Sequence, residues 1–312
     1  MKYDEVEHLG ERLNAKTSRF AVRRRTLAGK GAVVTGGGRG IGAAVAEALA
    51  AEGAAVVLTA RTGKEIEWVA EGLELEGRPA HAVVCDVTDP ESVSAMALRA
   101  QELLGGVDIL VNNAGIAESA PFLKVSLEQW ESVIRVNATG ALLVTQAFLP
   151  EMLARQWGRI VNVASVAGLE GARYVTAYTA SKHALLGMAR CLARELAGTG
   201  VTVNSVCPGY VDTLMTGKNI EWIALKTNRD VEEIRATIKT LQPGDRLITT
   251  DEVAHAVMTF MPDAAASLQG GELVVWGGGV RRPEEKPGDS PETEGEPEDA
   301  PDAGRAPEGG AD

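Results

Sequence analysis

The stretch from Gly31 to Gly53, GAVVTGGGRGIGAAVAEALAAEG, runs from a short apolar segment through a glycine turn into an alanine-rich segment. A brief β-branched run bounded by glycine reads as a buried strand, and the Ala, Glu and Leu that follow are strong helix formers. Strand, glycine turn and helix in that order is what a phosphate-binding loop requires. The first turn of a helix has free N–H groups and the positive end of its dipole to offer an anion. Within the loop Gly36 permits the tight turn, Gly40 lets the backbone approach a pyrophosphate, and Gly42 lets the helix pack closely on the strand. Gly38, Arg39 and Ile41 complete the set expected to touch a nucleotide. The spacing from Thr35 to Gly42 is T-G-x-x-x-G-x-G rather than the common G-x-G-x-x-G.

Working outward, AAVVLTAR follows as a second strand, at whose end an acidic residue would normally grip an adenosine ribose. Ala60 and Arg61 stand there instead. With Arg39 in the glycine loop, two guanidiniums would converge on a 2′-phosphate, and no carboxylate at the strand end would repel it. The expected cofactor is therefore NADP(H) in preference to NAD(H). AHAVVCDVTD reads as a third strand ending at Asp86, and VDILVNNAG as a fourth ending at Asn112 to Gly115. A long helix is expected from Leu127 to Leu153 with Asn137 near its middle, then the strand GRIVNVAS, a helix from Tyr174 to Ala197, and the strands VTVNSVCPG and GGELVVWGGG. Strands alternating with helices imply an α/β domain, a doubly wound sheet of about seven parallel strands with helices on both faces. Ligands of such sheets lie beyond the carboxyl ends of the strands. Gly36 to Gly42, Arg61, Asp86, Asn113, Ser165 and Pro208 should then line one crevice.

A second stretch, Ser165 to Lys182, reads SVAGLEGARYVTAYTASK. Tyr178 and Lys182 are four apart, hence on one helix face, so the ammonium can lie beneath the phenol ring. The spacing predicts that Lys182 favours phenolate and moves Tyr178 toward the working pH, while Ser165 hydrogen-bonds a substrate oxygen. His183 points to another helix face.

Composition bounds the rest. The chain has 312 residues, 45% of them apolar, and a net charge of −12, which argues against nucleic acid as a partner. Eleven acidic and four basic residues fall between Arg281 and Asp312. That Pro/Glu/Gly-rich tail has almost no apolar side chain to offset ordering entropy, and disorder is expected for 281–312. Residues 1–27, with Arg23, Arg24 and Arg25 in a row, read as an extension, leaving one domain over 28–280. Cys85, Cys191 and Cys207 show no metal-ligand spacing, so no metal is expected, and a reducing compartment fits. With no signal-like run and no uninterrupted apolar span of about 18 residues, a cytoplasmic protein without a membrane partner is expected.

TGGGRGIG, CDV, NNAG, Asn137, Ser165, Tyr178-x-x-x-Lys182 and CPGYVDT occur in the order found in the short-chain dehydrogenase/reductase superfamily, which the chain resembles from about Leu27 to Val280. The resemblance implies a Rossmann-type fold. It also implies that Tyr178 is the acid in carbonyl reduction and the base in alcohol oxidation, that Ser165 positions the substrate oxygen, and that Lys182 tunes Tyr178 and holds the nicotinamide ribose. Asn137 resembles the residue whose carbonyl holds a water beside Lys182. Asp86 and Val87 resemble adenine contacts, Asn113, Ala114 and Gly115 the stretch beside the cofactor, and Pro208, Gly209, Val211 and Thr213 the segment touching the carboxamide. Bacterial 3-oxoacyl reductases and 3-hydroxyacyl-CoA dehydrogenases are the most similar subfamilies, with polyketide ketoreductases nearby. The implied substrate is a 3-oxoacyl thioester of coenzyme A or acyl carrier protein. Steroids, sugars or other cyclic alcohols remain an alternative, as does a redox-inactive NADP-binding regulator. Residues 214–242, with the amphipathic VEEIRATIKTL, take the place of the family's substrate lid or form a plain helical insert packed on the body, and a homotetramer or dimer is implied.

Overall fold

Seven apolar segments become strands because both faces of the sheet they form are covered, so nearly every side chain in its centre can be hydrophobic. The computed structural model describes residues 26–277. The strands are β1 (Gly31–Thr35), β2 (Ala55–Ala60), β3 (Ala80–Val84), β4 (Ile109–Asn112), β5 (Gly158–Val163), β6 (Val201–Pro208) and β7 (Glu272–Val275). They form one sheet in the order β3-β2-β1-β4-β5-β6-β7, every pairing parallel. Every residue of the inner strands β1, β4, β5 and β6 is buried, whereas the edge strands β3 and β7 are partly exposed.

The helices are α1 (Gly40–Ala51), α2 (Gly63–Leu75), α3 (Pro90–Leu104), α4 (Leu127–Ile134), α5 (Gly140–Ala154), α6 (Thr176–Glu195), α7 (Leu214–Thr227), α8 (Val231–Thr240) and α9 (Thr250–Met258). Successive strand residues point to opposite faces, so Ala32 and Val34 join the core under α1, α2 and α9, while Val33 joins the core under α3, α5 and α6. The chain runs outward from β1 to β3 and then crosses back to β4, so strand order reverses between β1 and β4. A crevice opens at the carboxyl ends of such a pair.

The elements agree with the sequence reading in type and order, with differences of detail. The third strand stops at Val84 rather than Asp86, because Asp86 turns the chain by accepting from the Thr88 N–H at 2.9 Å. The long helix from Leu127 is interrupted by a π turn, Arg135–Thr139, holding Asn137. The helix expected from Tyr174 starts at Thr176, since Tyr174 is left-handed with φ of 66°. The segment 214–242 is helical, as its amphipathic pattern implies, and forms α7 and α8 with a small core of their own around Ile220, Ala224, Ile234 and Ile238. Leu27, assigned to the extension, is buried and donates its N–H to Glu52. The expectations for residues 1–25 and for the acidic tail lie outside the described residues.

By length and composition the run Leu127–Ala154 is apolar enough to cross a membrane. It instead lies along the sheet with Val144, Phe148 and Met152 fully buried in the core.

Candidate active site

The turn after β1 is closed from two sides. Gly36 and Gly37 donate to the Thr59 carbonyl of β2, at 2.7 and 3.2 Å. On the other side the Thr35 hydroxyl accepts the N–H groups of Asn113 and Ala114, each at 3.0 Å, and the Asn113 amide donates to the carbonyls of Thr35 and Gly36. Two glycines are required by this geometry. Gly36 has φ of 65°, and a Cβ on Gly42 would lie 2.1 Å from the Gly36 carbonyl oxygen. The start of α1 has neither an acidic residue nor a side chain capping it, unlike α3, α8 and α9, which are capped by Asp89, Asp230 and Thr249. Its N–H groups are left facing the loop, so the cradle fits the phosphates of a dinucleotide. Ile41 is half-buried and packs on the core beneath.

Across the crevice lies the segment after β6. Gly209 donates to Val275 at 3.0 Å, Val211 pairs with Ile248, and Thr213 caps α7. A Cβ on Gly40 would sit 3.4 Å from Thr213 Cγ2, so the glycine loop and the Pro208–Thr213 segment face one another directly. Asp86 and Val87 lie past the end of β3, with Val87 buried in the core. Asp86 is held below the usual carboxylate range by the Thr88 N–H, with Arg61 contributing.

The three side chains expected to react, Ser165, Tyr178 and Lys182, come together near the ends of β5 and β6. The Ser165 hydroxyl accepts from the Ala167 N–H at 3.1 Å and faces the Pro208 carbonyl at 3.4 Å. Tyr178 is half-buried. Lys182 is only 4% exposed, donates to the Val163 carbonyl at 2.8 Å, and lies 5.7 Å from the centre of the Tyr178 ring. A Cβ on Gly115 would be 3.2 Å from Asn137 Oδ1 and 3.7 Å from Lys182 Nζ, which brings the NNAG loop and the π turn to the same point. Asn137 is 2% exposed, with its amide exchanging hydrogen bonds with the N–H and C=O of Ile116 and donating to Ser181 Oγ at 2.9 Å. His183 is exposed on the outer face, its Nδ1 at 2.9 Å from Thr179 O.

One expectation needs correction, and a second gains detail. Lys182 does not set the Tyr178 phenol low: burial pushes that phenol up, and the Ser165 hydroxyl pulls it partway back. Burial also lowers the amine to about 8, so near neutral pH it still carries its charge, and its hydrogen bond goes to Val163 rather than the phenol. The two arginines lie near different carboxylates in the structure. Arg39 Nη1 bonds Glu65 Oε1 at 3.0 Å, while the exposed Arg61 acts on Asp86. A carboxylate from the first turn of α2 therefore lies beside the glycine loop.

Sequence reading also passes over Thr35, Ser181 and Gln242 as site residues. Thr35 begins the glycine pattern, which is a usable signal. Gln242 carries none, yet it is 3% exposed and clamps the segment after β6. Its Oε1 accepts from Tyr210 N at 2.8 Å, and its Nε2 donates to the carbonyls of Tyr210 and Arg246 at 3.0 and 2.7 Å.

A family model for short chain dehydrogenases matches residues 30–224. The 3-oxoacyl-[acyl-carrier-protein] reductase of Aquifex aeolicus (strain VF5) is 40% identical over 255 residues, 81% of this chain and 98% of that protein. The D-beta-hydroxybutyrate dehydrogenase of Cupriavidus necator is 37% identical over 260 residues, 81% of this chain and 99% of that protein. Among solved structures, a point variant of actinorhodin polyketide ketoreductase with NADPH superposes with a TM-score of 0.77 at 36% identity, covering 80% of this chain and 96% of that one. Fold, crevice and relatives agree: the chain belongs to the short-chain dehydrogenase/reductase family and is an NAD(P)-dependent oxidoreductase.

Proposed function

We propose that the chain is an NADP(H)-linked reductase of 3-oxoacyl thioesters, carried on coenzyme A or acyl carrier protein, or the same enzyme oxidising the 3-hydroxyacyl form. The observation that carries this reading is the meeting of Ser165, Tyr178 and Lys182 opposite the glycine loop, in a chain whose relatives are named for that chemistry. When bound, the dinucleotide supplies hydride transfer at its nicotinamide.

The chain's own residues then have separate tasks. Ser165, fixed by the Ala167 N–H, donates to the substrate oxygen and orients the carbonyl. Tyr178, kept as a phenol by burial, gives its proton to that oxygen as negative charge develops there, and takes one from the alcohol in the reverse direction. Lys182 stabilises the phenolate left behind and hydrogen-bonds the nicotinamide ribose. Asn137, anchored through Ile116 and Ser181, holds a water beside Lys182 through which Tyr178 recovers a proton. Gly36, Gly38, Gly40, Ile41 and Gly42 with the start of α1 hold the pyrophosphate, and Arg39 and Arg61 the 2′-phosphate. Asp86 and Val87 flank the adenine, Asn113 to Gly115 line the cofactor, and Pro208, Gly209, Val211 and Thr213 contact the carboxamide. α7 and α8 cover the acyl chain as a lid.

The same reading takes the chain as a cytoplasmic homo-oligomer. Leu127, Trp130, Leu142 and Leu153 remain exposed on the helical run flanking the sheet, a surface that a second copy would cover. The test of function is absorbance at the nicotinamide band with NADPH and a panel of 3-oxoacyl thioesters, cyclic ketones, steroids and sugars. A kcat/KM for 3-oxoacyl thioesters well above the others is expected. Turnover confined to the cyclic compounds would overturn the substrate assignment.

A further inference from the structure

We propose that Glu65 is a specificity-determining residue whose carboxylate competes with the cofactor's 2′-phosphate for Arg39, and so restrains the preference for NADP(H). The inference rests on the NADP(H) reading above and concerns what sets the size of that preference. β1 and β2 are neighbours in the sheet, and their carboxyl ends carry the glycine loop and Arg61. α2 begins at Gly63, immediately after, and its first turn folds back against that loop. A Cβ on Gly38 would lie 2.8 Å from Glu65 Cβ and 3.1 Å from the Glu65 carbonyl carbon. Glu65 is therefore anchored against the loop through its backbone, and its carboxylate stays within reach of any anion the loop binds.

That carboxylate already holds Arg39. Glu65 Oε1 accepts from Arg39 Nη1 at 3.0 Å, with the two side chains 37% and 58% exposed. Arg61 answers to a different carboxylate, since its charge is felt at Asp86. A 2′-phosphate would offer the Arg39 fork a better partner than a carboxylate, because it has more acceptor oxygens and more charge. To take it, Arg39 must leave Glu65 or share itself, and either way a negative carboxylate stays beside a dianion. An exposed ion pair is weak, so the obstacle is modest and NADP(H) still binds. A ribose 2′-hydroxyl suffers none of this, and Glu65 can accept its hydrogen bond. The pair thus holds the two cofactors closer in affinity than two free arginines would.

The experiment measures Kd for NADPH and NADH by tryptophan fluorescence on the full chain, with adenosine 2′,5′-bisphosphate and AMP as fragments. Glu65→Gln should tighten NADPH and the bisphosphate by about three- to tenfold while leaving NADH and AMP within about twofold. The gain should shrink at high salt. In an Arg39→Gln background the same substitution should yield a clearly smaller gain, because only the direct repulsion between carboxylate and phosphate remains. Unchanged or weaker NADPH binding, an equal gain for both cofactors, or a full gain without Arg39 would each overturn the competition. The wild-type ratio of NADPH to NADH affinity tests the cofactor reading separately. An enzyme preferring NADH would refute that reading, while a gain specific to the 2′-phosphate would still support Glu65.

Discussion

Replacing Lys182 by methionine should leave the cofactor-free protein at least as stable as wild type near neutral pH while abolishing turnover. The amine is 4% exposed and its pKa has fallen from 10.5 to about 8, with burial as the main cause. A lysine with a lowered folded-state pKa binds fewer protons folded than unfolded between those two values, so stability rises with pH across that window. Below pH 8 the folded protein carries the full cost of charging a buried amine. Each tenfold loss of proton affinity is worth about 1.4 kcal/mol, so the fall from 10.5 to about 8 sets that cost at about 3 kcal/mol. Loss of the charged hydrogen bond to Val163 offsets about 1.5 to 3 kcal/mol of the gain from methionine, leaving the variant equal to wild type or better by up to about 2 kcal/mol at pH 7. Whatever the size of that offset, the shifted pKa fixes how the difference changes as the amine loses its charge. Between pH 7 and about 9.5 the wild type should therefore gain about 2 kcal/mol on the variant. Urea unfolding at fixed protein concentration, repeated across that range, measures the difference. A difference between the two proteins that does not change with pH would refute the reasoning, because it would mean that Lys182 titrates alike folded and unfolded.

Other outcomes follow from single positions. Gly42→Ala would put a methyl 2.1 Å from the Gly36 carbonyl oxygen, and should cost several-fold more stability than the roughly 1 kcal/mol that Gly72→Ala, with open space around it in α2, should add. Thermal denaturation of the two variants makes that comparison, and Gly42→Ala should also lose NADPH binding. Arg61→Asp should weaken NADPH about tenfold or more relative to NADH by fluorescence titration. Asn137→Ala leaves the Ile116 N–H and C=O without their partner, and should destabilise by about 2 to 3 kcal/mol in urea while lowering kcat more than NADPH affinity.

How much of the molecule is legible in its sequence depends on whether the signal is local. β1, the glycine turn and α1 can be read directly, because an apolar run, a required positive φ at Gly36 and a contact too close for Cβ at Gly42 all leave residue-level marks. The π turn at Asn137 leaves none, since one extra residue in a turn does not alter the apolar composition of the helices on either side. Spacing places Lys182 on the face of Tyr178 but carries no information about how deeply the amine is buried, and desolvation is what decides its charge. Glu65 escapes a linear reading of the end of β2, because the approach of α2 to the glycine loop is tertiary. Gln242 looks like a solvated helix end, and only the fold shows both ends of its amide engaged.

The most direct measurement on the account as a whole is Tyr178→Phe, followed in one preparation for NADPH affinity and for single-turnover oxidation of NADPH by a 3-oxoacyl thioester. Removing only the phenolic oxygen should leave Kd within about twofold and slow the chemical step by about two to four orders of magnitude. Turnover at the wild-type rate would contradict the account outright, since some other group would then be supplying the proton.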